Sequence, residues 1–220
     1  MGLLIWLEVI LMNNIKQKSE YIVLNENNIN SLLDNKSYII DKNLLMDNIC
    51  INIPDGYNLS FYLIDYDSNK LDITFNQNND SNLIFNFSII NNDKSSYKII
   101  NNINGSNNKT VIKGRIYNNI NADTMCDISG DIKKNTLNND YTEDVRGLNL
   151  YSNNLIIKPN LIVSTDEVIA NHMVTIGNFE KSKINYLKQK GLSDENVKKL
   201  LLNNFLYEIF PKDLINNNDD

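Results

Sequence analysis

The sequence predicts a mainly β body followed by a small helical segment, and three observations carry that prediction. Between about Tyr21 and Val163, apolar and polar residues alternate in short runs that each close on Asn, Asp, Ser or Gly. No helical period separates those runs, which suggests a sandwich, a barrel or a solenoid of strands. In the last fifth of the chain the period changes to that of helices. No fixed-length repeat can be counted, so a solenoid would have irregular coils.

The elements follow in order. Residues 1–20 open with the apolar run Leu3 to Met12, too short to span a bilayer. It lacks the basic start and small-residue cleavage site of a signal peptide, and Glu8 interrupts it. The readings left are a core or interface helix, or a translation start at Met12. The β body is placed at 21–165. Leu71-Asp72-Ile73-Thr74-Phe75 and Leu83 to Ile89 alternate cleanly, and Tyr97 to Ile99, Val111 to Ile116 and Leu155 to Ile157 continue the pattern. A helical domain is placed at 166–214. Asn178 caps a helix from Phe179 to Lys190 that Gly191 stops. Ser193 caps a second, with Asp194 and Glu195 in its first turn. Val197, Leu200, Leu201, Phe205 and Ile209 form its apolar stripe, and Pro211 ends it. Residues 215–220 read as a disordered tail.

Composition excludes several functions. The formal net charge is -6 and no Lys/Arg block occurs, which argues against a nucleic-acid binder. Two cysteines, Cys50 and Cys126, cannot build a disulfide framework or a CxxC zinc site. The single histidine, His172, rules out any site that needs two. About a fifth of the chain is Asn, which tolerates the left-handed conformation and serves at turns where Gly would otherwise sit.

Catalytic signatures are missing. There is no GxSxG elbow, and the eight glycines form neither GxGxxG nor GxxxxGK[ST]. The pairs Glu143-Asp144 and Asp166-Glu167 read as solvated turns rather than acid–base machinery. Cys50, between Ile49 and Ile51, reads as a small buried hydrophobe. Cys126 has a more polar setting, where neighbouring carboxylates disfavour a thiolate. The chain is read as not an enzyme, cytoplasmic, and without a resident metal.

A resemblance enters through the C-terminal third. Ile157-Lys158-Pro159-Asn160-Leu161, then Asp166 to His172, then Thr175-Ile176-Gly177, then Tyr186-Leu187 and Lys190-Gly191-Leu192 resemble, in order and spacing, the C-terminal signature of the SufB/SufD family. These proteins are scaffolds of the Suf iron–sulfur cluster assembly machine. Lys113-Gly114-Arg115-Ile116 and Leu148 to Ser152 are similar to upstream family motifs.

The resemblance implies a right-handed parallel β-helix with a small C-terminal helical domain, acting as a non-catalytic scaffold. It implies a SufB-like partner joined through the β-helices, or a homodimer, and a SufC-like ABC-type ATPase docked on the helices. It makes His172 the cluster-assembly and interface residue. Tyr186, Leu187, Gly191, Leu192, Leu201 and Phe205 become the ATPase dock. Met173 stands where the SufB branch has a Glu and the SufD branch a Gly, and Asn153-Asn154 stand where the SufB branch carries a Cys. The chain is therefore read as a shortened, SufD-like member that binds no cluster stably and shares a transient one with its partner. No part for nucleic acid or membrane follows. The competing reading, from a different class, is a β-solenoid binding module with no role in cluster assembly.

Overall fold

Alternation makes every strand two-faced, and stacking the apolar faces closes a β-solenoid of about five turns. The computed structural model describes residues 21–215 except 42, 45–47, 67, 152 and 153. The N-terminal apolar segment and residues 216–220 of the expected tail lie outside the described residues. Twelve strands follow in order: β1 (Tyr21–Leu24), β2 (Lys36–Ile40), β3 (Asn48–Ile53), β4 (Asn58–Tyr66), β5 (Lys70–Gln77), β6 (Asn82–Asn91), β7 (Lys94–Ile103), β8 (Lys109–Asn118), β9 (Asp123–Ile132), β10 (Asn139–Asn149), β11 (Leu155–Val163) and β12 (Val168–Gly177).

From β3 onward the chain alternates between two sheets. One has the order β1-β2-β4-β6-β8-β10-β12, the other β11-β9-β7-β5-β3. Every strand pair among the described residues is parallel, which removes the sandwich of hairpins and the up-and-down barrel. The coils are irregular: Asn58 to Asn82 takes 24 residues, Asn82 to Lys109 27, Lys109 to Asp140 31 and Asp140 to Ile169 29.

Asn builds the corners. Asn35, Asp80, Asn107, Asn121, Asn135 and Asn138 all adopt positive φ. Three of these turns stack coil on coil through backbone bonds. The amide of Asp80 donates to Ser106 O (2.9 Å), that of Asn107 to Leu137 O (2.9 Å) and that of Asn138 to Glu167 O (3.0 Å).

The interior between the sheets is a row of rings and branched aliphatics. Tyr38 stacks on Phe61 at 5.5 Å, and Phe75, Phe85 and Phe87 follow at ring spacings of 5.0 to 5.3 Å. Gly114 is required here: a Cβ would lie 2.3 Å from Cζ of Phe87. Cys50 departs from the reading as a buried residue. Ile49 and Ile51 point inward, so the residue between them points out and is exposed. Cys126 is the buried thiol.

The sheet runs past the boundary expected at residue 165, because β12 pairs with β10 along ten residues. The helical segment therefore begins at α1 (Lys181–Gln189), continues with α2 (Asp194–Tyr207) and ends with α3 (Lys212–Ile215). Asn178 lies outside α1. Its N-cap is Glu180, whose side chain makes no capping bond, while Gly191 (φ +90) stops the turn as the sequence implies. Ser193 Oγ accepts the amide of Asn196 at 3.3 Å and caps α2.

The face that α2 turns to the body is only partly the expected stripe: Val197, Phe205 and Ile209 pack inward, Leu200 and Leu201 do not. Val197, Leu202 and Leu206 are buried, whereas Leu200 is 47% exposed and Leu201 and Phe205 are half-buried. Leu202 and Leu206 pack on Ile90, Tyr117 and Leu148, on the outer face of the seven-stranded sheet. Further along, Ile209, Phe210 and Leu214 pack on Ile39 and Tyr62.

Candidate functional site

The site is built where the solenoid stops. Strands β11 and β12 are the last of their sheets, and their outer edges pair with no other strand among the described residues. Natural edge strands are blunted with charge, proline or brevity. The edge of β11 carries Lys158 and Pro159, but the ten residues of β12, Val168 to Gly177, include no Asp, Glu, Lys or Arg. Ile162, Val163, Ile169, Met173 and Ile176 are exposed large hydrophobics at this end, Ile169 by 64%. A long, uncharged edge beside apolar side chains is a surface suited to strand addition.

His172 lies in the middle of β12, not in the helical domain expected at 166–214. It pairs with Glu143, while Ala170 and Val174 on the same row pack against the core. It thus belongs to the inward-facing row of the last described coil and is exposed, with no further coil among the described residues covering it.

Beneath it the reading of Glu143-Asp144 as a solvated turn is overturned. Both residues lie in β10 and both are buried. Strand alternation sends them to opposite faces. Glu143, 2% exposed, points into the solenoid and accepts the Tyr141 hydroxyl at 2.7 Å. Gly130 on β9 makes room for the Tyr141 ring, since a Cβ there would sit 2.6 Å from its Cζ. The second carboxyl oxygen of Glu143, Oε1, has no hydrogen-bond partner among the described residues. Burial pushes this carboxyl up to about 7, against the opposing effect of the Tyr141 bond. Burial, with the carboxylates of Asp127 and Glu143, also drives the Cys126 thiol up, so it stays protonated. Asp166-Glu167, by contrast, are exposed in a bend.

Asp144 faces outward into a four-residue charge cluster that fixes the helices. Buried Arg115 reaches Glu208 of the α2 C-terminus at 2.7 Å and Asp144 at 3.3 Å, and Arg146 reaches Asp144 at 3.1 Å. Beside it Asn86 Nδ2 donates to Ile209 O and Ser88 Oγ to Leu206 O, both at 2.6 Å. These bonds satisfy carbonyls that a helix end leaves unpaired. No sequence motif marked Glu143 or Arg115 for these roles. The alternation Tyr141, Glu143, Val145 is the one signal that could have placed Glu143 inside.

The second half of the site is the helical hairpin. Helix α1 has no buried residue and packs against α2. Between them lies an open groove of about 550 Å³ lined by Ser182, Lys183, Tyr186, Leu187, Leu200, Leu201 and Asn204. It brings together three of the dock residues named from sequence, Tyr186, Leu187 and Leu201. Gly191 and Leu192 form the turn between the helices, and Phe205 packs against the anchor cluster instead of lining the groove. Tyr186 is 58% exposed, with the Lys190 ammonium 5.5 Å from its ring centre. A neighbouring cleft of about 320 Å³ holds Tyr151, whose ring and hydroxyl are met by Lys198.

Among the described residues, no three His, Cys, Asp or Glu side chains converge as a metal-binding group. No helix among them is long and apolar enough to cross a membrane. Residues 148–205 match the family model described as SUF system FeS cluster assembly, SufBD core domain. The match covers about a quarter of the chain and supports a place in the SufB/SufD family. It contains β12, His172 and most of the hairpin. No curated protein matches the sequence.

Proposed function

We propose that the chain is a non-catalytic scaffold subunit of a SufBCD-type iron–sulfur cluster assembly complex, SufD-like and cytoplasmic. It pairs through its open end with a SufB-like subunit, or with a second copy, and docks a SufC-like ABC-type ATPase in the groove between α1 and α2. One observation carries the reading: the family match joins, in a single stretch, the uncharged edge strand bearing His172 and the exposed apolar hairpin.

Each half of that stretch has the physical character its role needs. Backbone groups along β12 offer a template for a partner strand, and Ile169, Met173 and Ile176 supply apolar area beside it. The groove exposes Leu200, Tyr186 and half of Leu201, while Leu202 and Leu206 behind them hold the helix to the body. The nascent cluster is cargo, contacted by His172 and shared with the partner. Met173 brings no carboxylate beside that histidine, so stable holding of the cluster belongs to the partner.

Co-expression with an ABC-type ATPase from the same genome, followed by size-exclusion chromatography of the tagged chain, tests the proposal. A stoichiometric complex is expected. A folded chain eluting alone would overturn it and favour a β-solenoid binding module.

A further inference from the structure

One row of side chains inside the solenoid changes character at its end. Through successive in-register pairs it runs Tyr38, Phe61, Phe85, Ile112, Glu143 and His172. Four apolar rungs are followed by a buried carboxyl and then by an exposed imidazole. Among the described residues the carboxyl is held from one side only: Tyr141 donates to Oε2, and Oε1 has no partner. A buried polar atom in that state calls for a donor. From the neighbouring strands, Ile112 and Cys126 bring no charge, and Arg115, Arg146 and Lys158 belong to outward-facing positions.

We propose that Glu143 is a positioning residue for His172, its unpartnered oxygen accepting an N–H from the imidazole one rung above and so fixing which ring nitrogen faces the partner side. Neighbouring strands lie about 4.8 Å apart, and in-register side chains leave on the same face. At that spacing the two in-register side chains are neighbours on one face, and the hydrogen bond needs the exposed ring to turn one N–H toward Oε1. A hydrogen bond on one imidazole nitrogen sets the tautomer and thereby the chemistry of the other. The consequence for cluster assembly rests on the scaffold reading given above, whereas the positioning is a property of this chain by itself.

His172 is the only histidine, so its ring can be read without assignment ambiguity. Long-range proton–nitrogen correlation spectra of the ¹⁵N-labelled full chain, at about pH 8.5 and above the ordinary imidazole range of about 6.5, report the tautomer. In the wild type, one ring nitrogen is expected near the protonated limit and the other near the unprotonated limit. Glu143→Gln keeps an acceptor oxygen and retains that pattern. Glu143→Leu, which fits a row already holding Ile112, moves both nitrogens toward the averaged values of free imidazole. An averaged ring in the wild type, or a fixed one in Glu143→Leu, overturns the proposal. The readout needs no ATPase or partner. A fixed ring in a chain that binds no ATPase would remove the scaffold reading alone, and an averaged ring in a chain that binds it would remove only the positioning.

Discussion

At the scale of single residues, Glu143 makes the most quantitative claim. Its carboxyl holds a proton to about pH 7 in the folded chain, where an ordinary Glu ionises near 4.5. Between those values the folded state binds more protons than the unfolded state, so stability falls as pH rises through the window. The loss is complete above pH 7 and amounts to roughly 3 kcal/mol. Glu143→Gln removes the ionisable group. In urea titrations the variant is therefore expected to gain on the wild type between pH 5 and pH 8, and an unchanged difference at the two values would contradict the burial argument. Glu143-Asp144 reads as a turn because two adjacent acids usually seek water, but alternation gives each its own face and its own partners. The same rule was legible at Cys50, since a residue between two inward isoleucines must point out. Asn was read correctly as a turn former, and five Asn residues with positive φ bear that out.

At the scale of elements, the question is which side of α2 meets the body. Its leucines occupy two faces: Leu202 and Leu206 lie on the sheet, Leu200 and Leu201 toward α1. A helix apolar on two sides gives a periodicity signal that does not say which side is core, so the stripe Val197, Leu200, Leu201, Phe205 and Ile209 is only half right: Leu200 and Leu201 turn away from the body. Leu206→Ala should cost about 2–4 kcal/mol and free the hairpin, whereas Leu200→Ala should stay within about 0.5 kcal/mol. Chemical denaturation followed by tyrosine fluorescence checks both, and equal costs would place the wrong face inward. The strands themselves were legible from alternation. Their parallel partners were not, because one strand's sequence does not record which strand lies beside it. The solenoid came from the resemblance, and β12 was missed because Asn171 and His172 break its pattern midway.

At the scale of the whole molecule, the solenoid has a C-terminal end where β12 offers an uncharged edge and a row of apolar side chains. Met173→Asp is expected to leave the isolated chain folded, since Met173 is 49% exposed, and to weaken association with a SufB-like partner or a second copy by tenfold or more. Light scattering and sedimentation of wild type and variant decide it, and identical masses in an associating system would remove β12 from the interface. The central claim, however, is that this end and the hairpin groove belong to one scaffold. The most direct test is calorimetric titration of an ABC-type ATPase from the same genome into the wild-type chain and into Tyr186→Asp, whose side chain is 58% exposed in the groove. Saturable binding at a simple ratio to the wild type, lost in the variant, is the expected result. No binding to the wild type, or equal binding to both, would contradict the account.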